Sequence, residues 1–124
     1  MLDLLVTAVS ERADLFAQSM ESLRAHVGAP FGKLIVHEDV RPGSSPGAIG
    51  AWLARSGLRY EHKVTAPAGG LGPAMLWCFE RATSPIVLYT QEDWGAVRPI
   101  PIAAAVGLIE RNGLNHIRFN KRKT

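Results

Sequence analysis

Residues 2–9 form a mostly apolar run close to the start of the chain, with Asp3 as its one charged residue. A strand with one face in water alternates apolar and polar side chains, whereas a strand covered on both faces reads as a continuous apolar segment. This run does not alternate and contains several β-branched side chains, which favours a strand. We therefore predict a buried strand in a mostly parallel sheet, with helices packed on both of its faces.

The remaining chain alternates strand patterns with helix patterns. Further strands are predicted at residues 33–36, 59–64, 85–90 and 115–119, and residues 59–64 alternate as an edge strand does. The β-α-β-α-β-α-β-α-β order is typical of βαβ units. We expect a single domain over residues 1–124, an α/β Rossmann-like three-layer α/β/α sandwich.

The helix patterns predict particular caps and buried faces. Ser10 is expected to cap the first helix, Pro73 to lie in the first turn of the third, and Gly113 to close a last helix over residues 100–111. The residues expected on buried helix faces are Leu15, Phe16, Met20 and Leu23, then Met75, Leu76, Cys78 and Phe79. Trp52 and Trp77 lie in the same stripes and are expected in the core.

The composition of the chain limits the partners and the location that can be expected for it. Four of the 14 basic residues lie in a tail at 118–124, which leaves ten against 11 acidic residues in the body. A nucleic-acid binder carries a basic face through its fold, so nucleic acid is not an expected partner. The single cysteine excludes an internal disulfide, and no stretch approaches the roughly 20 apolar residues of a membrane span. We expect a cytoplasmic protein.

Polar residues follow three predicted strands, at 7–12, at 37–39 and at 91–94. Ligands of an open parallel sheet bind beyond the carboxyl ends of its strands, so these segments are the candidate site. Glu92 and Asp93 are adjacent carboxylates after an uncharged strand, a pattern that suits a hard divalent cation. The same two residues could instead cap a turn, and the spacing alone leaves both interpretations open.

The loop Gly69-Gly70-Leu71-Gly72-Pro73 precedes a predicted helix. Its backbone N–H groups could bind a phosphate, or it could be a plain turn. Its spacing matches neither a dinucleotide fingerprint nor a P-loop. Trp94 adjoins the acidic pair and could either stack on a ligand or pack in the core.

Taken together, these segments resemble the nucleotide-sugar glycosyltransferases of the GT-A fold, in the broad inverting family 2. The residues that carry the resemblance are Thr7 and Arg12 with Ser22-Leu23, then Leu34-Ile35-Val36-His37-Glu38-Asp39, Gly72-Pro73-Ala74 with Trp77 and Ala82, Pro85 to Trp94, and Ile117 to Arg122. Gln91-Glu92-Asp93-Trp94 is similar to the family's acidic turn. The resemblance covers nearly the whole chain.

The resemblance implies a binding site for a nucleotide-diphosphate sugar. Residues implied to contact the nucleotide are Thr7, Ala8, Val9, Arg12 and Asp39, with Gly70 and Gly72 beside the ligand. Asp93, together with Gln91 and Glu92, would hold Mn²⁺ or Mg²⁺ bridging the diphosphate. The implied activity is transfer of a sugar to an acceptor that the sequence does not identify.

Two departures from the family pattern affect this interpretation. Gln91 stands where an acidic residue is common, and an amide is a poorer ligand than a carboxylate for a hard cation. Family members also continue into an acceptor-binding half with a catalytic base, whereas no carboxylate follows Glu110 in this sequence. We therefore expect the donor-binding part of a glycosyltransferase. The alternative is a non-catalytic nucleotide-sugar-binding or assembly module, with a homo-oligomer as one form.

Overall fold

A computed structural model describes residues 2–27, 31–96 and 98–119. Four parallel strands, β1 (Leu2–Val9), β2 (Phe31–Asp39), β3 (Tyr60–Thr65) and β4 (Val87–Gln91), form one sheet in the order β3-β2-β1-β4. The helices are α1 (Ala13–His26), α2 (Ala48–Arg55), α3 (Leu71–Arg81) and α4 (Ile102–Asn112). The predicted α/β architecture with a parallel sheet is confirmed.

Two apolar layers lie on opposite faces of the sheet. Val6 and Val36 belong to a larger cluster with Phe16 of α1 and with α2, whereas Leu5 and Ile35 pack with Cys78 of α3. Successive side chains of a strand point to opposite faces, so neighbouring residues of β1 and β2 serve different layers. This explains why residues 2–9 do not alternate, and it confirms the three-layer prediction.

The strand order reverses between β1 and β4, and in open α/β sheets such a reversal leaves a crevice at the carboxyl ends of the two strands. The chain moves outward from β1 to β2 to β3 and then returns past both to form β4 on the other side of β1. Thr7 of β1 pairs with His37 of β2 on one side and with Gln91 of β4 on the other. Such a reversal of strand order is where open α/β sheets bind ligands.

The strand boundaries differ from those predicted. β2 does not end at Val36 but continues to Asp39, because His37, Glu38 and Asp39 pair with β1 and β3. All three side chains are buried. Because they are polar, the sequence pattern did not indicate that they belong to a central strand. β4 begins at Val87 rather than at residue 85, and it is only partly buried because it lies at the edge of the sheet.

The predicted fifth strand is wrong. Residues 115–119 form no helix or strand, and Leu114 and Phe119 are exposed. An apolar segment becomes a strand only where a neighbour can pair with its backbone, and these residues pair with none of the described strands. The remainder of the basic tail, residues 120–124, lies outside the described part of the chain.

The helix faces were predicted in part. Phe16, Met20, Leu23 and Cys78 are buried, but Leu15, Leu76 and Phe79 are exposed by 37%, 61% and 46%. α3 packs on β1 and β2 through Ala74 and Cys78, so side chains farther round the helix face outward. Gly113 ends α4 with φ of 61°, as predicted.

Ser10 does not cap α1. It begins a 3-10 turn, Ser10–Arg12, and Arg12 occupies the N-cap position without a side-chain cap. The Ser10 hydroxyl is instead donated to the buried carboxylate of Glu38. The Ser10 side chain is thus oriented toward a buried acceptor on the neighbouring strand and does not accept a free N–H of the helix.

Candidate functional site

An arginine just after β1 meets two carboxylates just after β4 in the crevice between these strands. Arg12 Nη1 lies 3.4 Å from Glu92 Oε1 and 3.5 Å from Asp93 Oδ2. The 3-10 turn at the end of β1 brings Arg12 there, and the turn that follows Gln91 brings the carboxylates. Residues 80 positions apart in the sequence therefore form one charged cluster at the reversal of strand order.

The two carboxylates have different surroundings. Glu92 is 5% exposed, and burial raises the pKa of its carboxyl, with the Asp93 charge adding to the rise and Arg12 opposing it. The Asp93 side chain is 37% exposed. Asp93 can therefore reach a ligand from solvent, whereas the Glu92 carboxyl lies below the surface.

The acidic pair offers two carboxylates close together. Glu92 and Asp93 already converge on a single cationic nitrogen, that of Arg12. No group of three or more His, Cys, Asp or Glu side chains able to hold a metal exists within residues 2–27, 31–96 and 98–119. A divalent cation here would thus take one or two carboxylates and complete its shell with ligand phosphates and water, an arrangement usual for Mg²⁺.

A tyrosine that the sequence analysis did not single out links β1 to β4 beneath this cluster. Thr7 Oγ1 and the Tyr89 hydroxyl lie 2.7 Å apart, and Gln91 Nε2 donates to the same hydroxyl at 3.3 Å. The Tyr89 ring also meets Trp94 edge-on at 6.3 Å. Thr7 and Gln91 therefore lie side by side at the carboxyl ends of β1 and β4, and both contact Tyr89. The fixed alternation of strand side chains could have suggested Tyr89, because it shares a face with Gln91.

The end of β2 is occupied by contacts within the protein. Asp39 Oδ1 accepts the Gly69 N–H at 3.3 Å, and its Oδ2 accepts the Gly70 N–H at 3.2 Å. Gly70 has φ of 94°, a conformation that favours glycine. The amides of Gly69 and Gly70 are thus bound by Asp39, and Gly72 lies within the first turn of α3. Asp39 supports the glycine loop from the adjoining strand.

A buried group of hydrogen-bonded polar side chains lies beside Asp39. Glu38 accepts the Ser10 hydroxyl on Oε2, and its Oε1 lies 2.8 Å from His62 Nε2 on β3. Glu38 is 1% exposed. In the sequence Glu38 lies in a candidate segment but has no role of its own, and nothing there marks His62, since the carboxylate looks like any other charge at the end of a strand. Its burial is visible only in the sheet.

His37 completes this end of the sheet. Its Nε2 lies 3.0 Å from Thr65 Oγ1, while its buried Nδ1 has no hydrogen-bond partner among the described residues and lies 3.7 Å from Asp39 Oδ1. Burial lowers the pKa of His37, the nearby Asp39 charge opposes this, and Lys63 and His62 add to it. The ring is therefore held in its neutral form near pH 7.

The site residues predicted from the sequence do not all lie together. Thr7, Arg12, Gln91, Glu92 and Asp93 gather in the crevice between β1 and β4. Ala8 contributes its side chain to the core, and Val9 pairs with Asp39 toward β2.

A cavity of about 20 Å³ lies near the amino ends of the strands and is lined in part by Leu4 and Leu34. It is remote from the predicted site residues at the carboxyl ends.

No model of a known protein family matches the sequence, and no curated protein matches it. Solved structures do match its fold. Residues 1–349 of S. aureus TarS, a glycosyltransferase, align with a TM-score of 0.69 and 14% identity over 98% of this chain and 39% of that one. The TarS complex with UDP-GlcNAc aligns with a TM-score of 0.70 and 14% identity over 98% and 37% of the two chains.

The TarS complex with UDP gives a TM-score of 0.70 at 15% identity, over 98% of this chain and 38% of that one. The present chain therefore spans less than two fifths of each of these TarS chains. At this level of identity the likeness concerns the fold. It confirms the expected likeness of this chain to the fold of a glycosyltransferase. Among the described residues, no helix has the length and apolar character needed to cross a membrane.

Proposed function

We propose that this chain binds the nucleoside diphosphate part of a nucleotide sugar in the crevice between β1 and β4. The observation that carries the proposal is the convergence of Arg12, Glu92 and Asp93 at the reversal of strand order. A guanidinium is a strong binder of phosphate oxygens. The likeness of fold to a protein crystallised with UDP and with UDP-GlcNAc supports a uridine nucleotide as the first ligand to test.

In this proposal the acidic pair holds Mg²⁺ or Mn²⁺ together with the diphosphate. Asp93 would be the principal ligand because it is exposed, and Glu92 would add charge from its buried position. Such a cation would offset negative charge on the diphosphate. Arg12 would then exchange its contact with the carboxylates for one with a phosphate oxygen, since one guanidinium can serve either partner.

Binding is better supported than sugar transfer. An inverting transfer needs a base to take the proton of the acceptor hydroxyl. The carboxylates at this edge all have partners: Glu92 and Asp93 contact Arg12, Glu38 contacts Ser10 and His62, and Asp39 contacts two backbone amides. Transfer of the sugar by this chain is the finer proposal, and release of UDP from UDP-GlcNAc upon adding candidate acceptors tests it.

Calorimetric titration tests the binding proposal directly. The protein should bind UDP and UDP-GlcNAc with similar affinity, and Mn²⁺ should strengthen both. GDP and ADP serve as controls for base recognition, and EDTA serves as the control for the cation. Failure of every nucleotide to bind, with and without Mn²⁺, would contradict the proposal.

Two variants assign the binding to the crevice. Asp93→Asn should weaken Mn²⁺-dependent UDP binding about tenfold, the change expected from losing a charged contact of about 1.4 kcal/mol. Glu110→Gln removes an exposed carboxylate of α4 and is the matched control. Equal affinity of the two variants would show that the acidic turn is structural.

The second candidate function is self-association, and a separate observation favours it. Leu71, Leu76 and Phe79 of α3 expose between 46% and 61% of their surface. Neighbouring exposed apolar side chains often mark a contact surface. Sedimentation at rising concentration, compared with Leu76→Lys, tests it, and a monomer at all concentrations would contradict it.

A further inference from the structure

The segment that carries the acidic turn is attached along α1 at successive points. Glu92 and Asp93 meet Arg12 at the start of α1. The backbone of the same segment then contacts α1 repeatedly toward its end, at Ser19, at Ser22 and at His26. Residues 92–96 and 98–100 therefore contact the helix from its N-cap, Arg12, to its last residue, His26.

Two serine hydroxyls make the central contacts. Ser19 Oγ, which is buried, donates to the Trp94 carbonyl. Ser22 Oγ accepts the Ala96 N–H at 2.9 Å and donates to the Ser19 carbonyl at 2.7 Å. These contacts bind backbone groups of the turn, so they constrain the path of the turn rather than the identity of its side chains.

The far end of the segment is fixed by backbone pairing. The Ile100 N–H donates to the His26 carbonyl at 2.9 Å, and Val27 forms a parallel bridge with Ile100. Ser19, Ser22 and His26 are spaced three and four residues apart, so they share one face of the helix. Two serine side chains and the His26 carbonyl of α1 thus contact successive backbone groups of the segment.

We infer that α1 is the template that holds the acidic turn against Arg12, with Ser19 and Ser22 as positioning residues for nucleotide binding. This inference rests on the proposed function. Arg12 is the N-cap of α1, and both serines belong to the same rigid helix. α1 therefore adds to the pairing of β1 with β4 in setting the separation between the guanidinium and the two carboxylates, and loss of a serine would let the turn move away from Arg12.

Ser22→Ala and Ser19→Ala test the inference, each removing only an oxygen and placing a better helix former in α1. Each should keep the native circular dichroism and weaken Mn²⁺-dependent UDP binding about fivefold, as loss of one hydrogen bond would. In Ser22→Ala the Ala96 amide should also exchange its hydrogen faster without any ligand. The loss of affinity should shrink in an Asp93→Asn background, since the serine acts through the turn.

Ser56→Ala is a closely matched control. Ser56 Oγ donates to the carbonyl three residues earlier, that of Leu53, and accepts the N–H of Leu58. Ser22 makes the same two kinds of hydrogen bond, but the N–H that it accepts belongs to Ala96, in the segment that carries the acidic turn. Ser56→Ala should therefore leave UDP affinity unchanged.

Gly95 offers a test from the other side of the contact. A Cβ on Gly95 would lie 3.1 Å from Ser22 Oγ, so Gly95→Ala should displace the segment and weaken UDP binding without removing a hydrogen bond. Wild-type affinity in Ser19→Ala and Ser22→Ala would overturn the positioning role while leaving the proposed function intact. Absence of UDP binding by the wild-type protein would overturn both, and unchanged Ala96 exchange in Ser22→Ala would overturn the attachment itself.

Discussion

Two Glu-Asp pairs stand at the ends of the strands that flank β1. Glu38-Asp39 ends β2, and Glu92-Asp93 follows β4. The pair on β2 is bonded entirely within the protein, by a serine, a histidine and two backbone amides. The pair after β4 shares one half-exposed arginine. The same dipeptide thus stabilises the fold on a central strand and stays open to a ligand at the crevice.

The difference follows from the position of each strand. β2 lies between β1 and β3, so both of its edges face other chain segments that supply donors. β4 has β1 on one side only, and its acidic turn faces the crevice. Burial without a partner would be costly for a carboxylate, which explains why the central pair is fully bonded.

The largest expected effect is on the central pair. Glu38→Ala should lower the free energy of unfolding by about 3 kcal/mol, because it removes the shared partner of Ser10 and His62 from a buried site. Glu92→Ala should lower the free energy of unfolding far less, since burial disfavours the charge of the Glu92 carboxylate. Denaturant unfolding of both variants measures the contrast, and equal losses would remove the distinction between the two pairs.

The aspartates should show the same contrast on a smaller scale. Asp39→Ala leaves the Gly69 and Gly70 amides without their acceptor and should cost about 2 kcal/mol. Asp93→Ala loses a partly exposed ion pair, which is worth about 0–1 kcal/mol. Thermal unfolding compares them. A greater loss in Asp93→Ala would mean that the acidic turn is the structural one.

The pH dependence of Glu92 gives a finer test. Because burial raises its pKa above the ordinary 4.5, the folded protein holds this proton more tightly than the unfolded chain does. The stability it contributes is complete below pH 4.5 and is lost as the pH rises through the raised pKa. The Tm of Glu92→Gln relative to wild type should therefore increase between about pH 4 and pH 7. A constant difference would contradict the burial of this charge.

The smallest effect concerns His37, beside the central pair. Burial lowers its pKa from the ordinary 6.5, against the opposing charge of Asp39. Its contribution to stability is present above pH 6.5 and is lost as the pH falls through the lowered pKa. Wild type should therefore lose stability relative to His37→Gln on acidification, as measured by Tm from pH 7 to pH 5. A parallel decline of the two proteins would show that His37 does not charge in this range.

Much of the architecture was predictable from local patterns. The apolar run of β1, the alternation of strands and helices and the Gly113 stop are local signals, and each was confirmed. The extent of β2 was not predictable, because His37, Glu38 and Asp39 are polar side chains made compatible with burial by partners far away in the sequence. The strand predicted at 115–119 failed although its residues suit a strand, since they pair with none of the described strands.

The candidate site divides in the same way. The acidic turn and Arg12 were identified from strand ends and from the resemblance to glycosyltransferases. Their contact, the role of Tyr89 beneath them and the hydrogen bonds of Ser19 and Ser22 were not identified, although Ser22 is part of the family pattern. Ser19 and Ser22 look like ordinary helix residues, because the groups they bind are backbone atoms of a segment more than 70 positions away.

The sequence by itself determined the order of the elements and the chemistry available at the end of each strand, because both depend on neighbouring residues. The tertiary structure alone decided which Glu-Asp pair is bonded internally and which remains open. That choice depends on what the sheet places beside each carboxylate. For Glu38 and Asp39 it supplies donors on both sides, and for Glu92 and Asp93 it supplies one arginine and a crevice open to solvent.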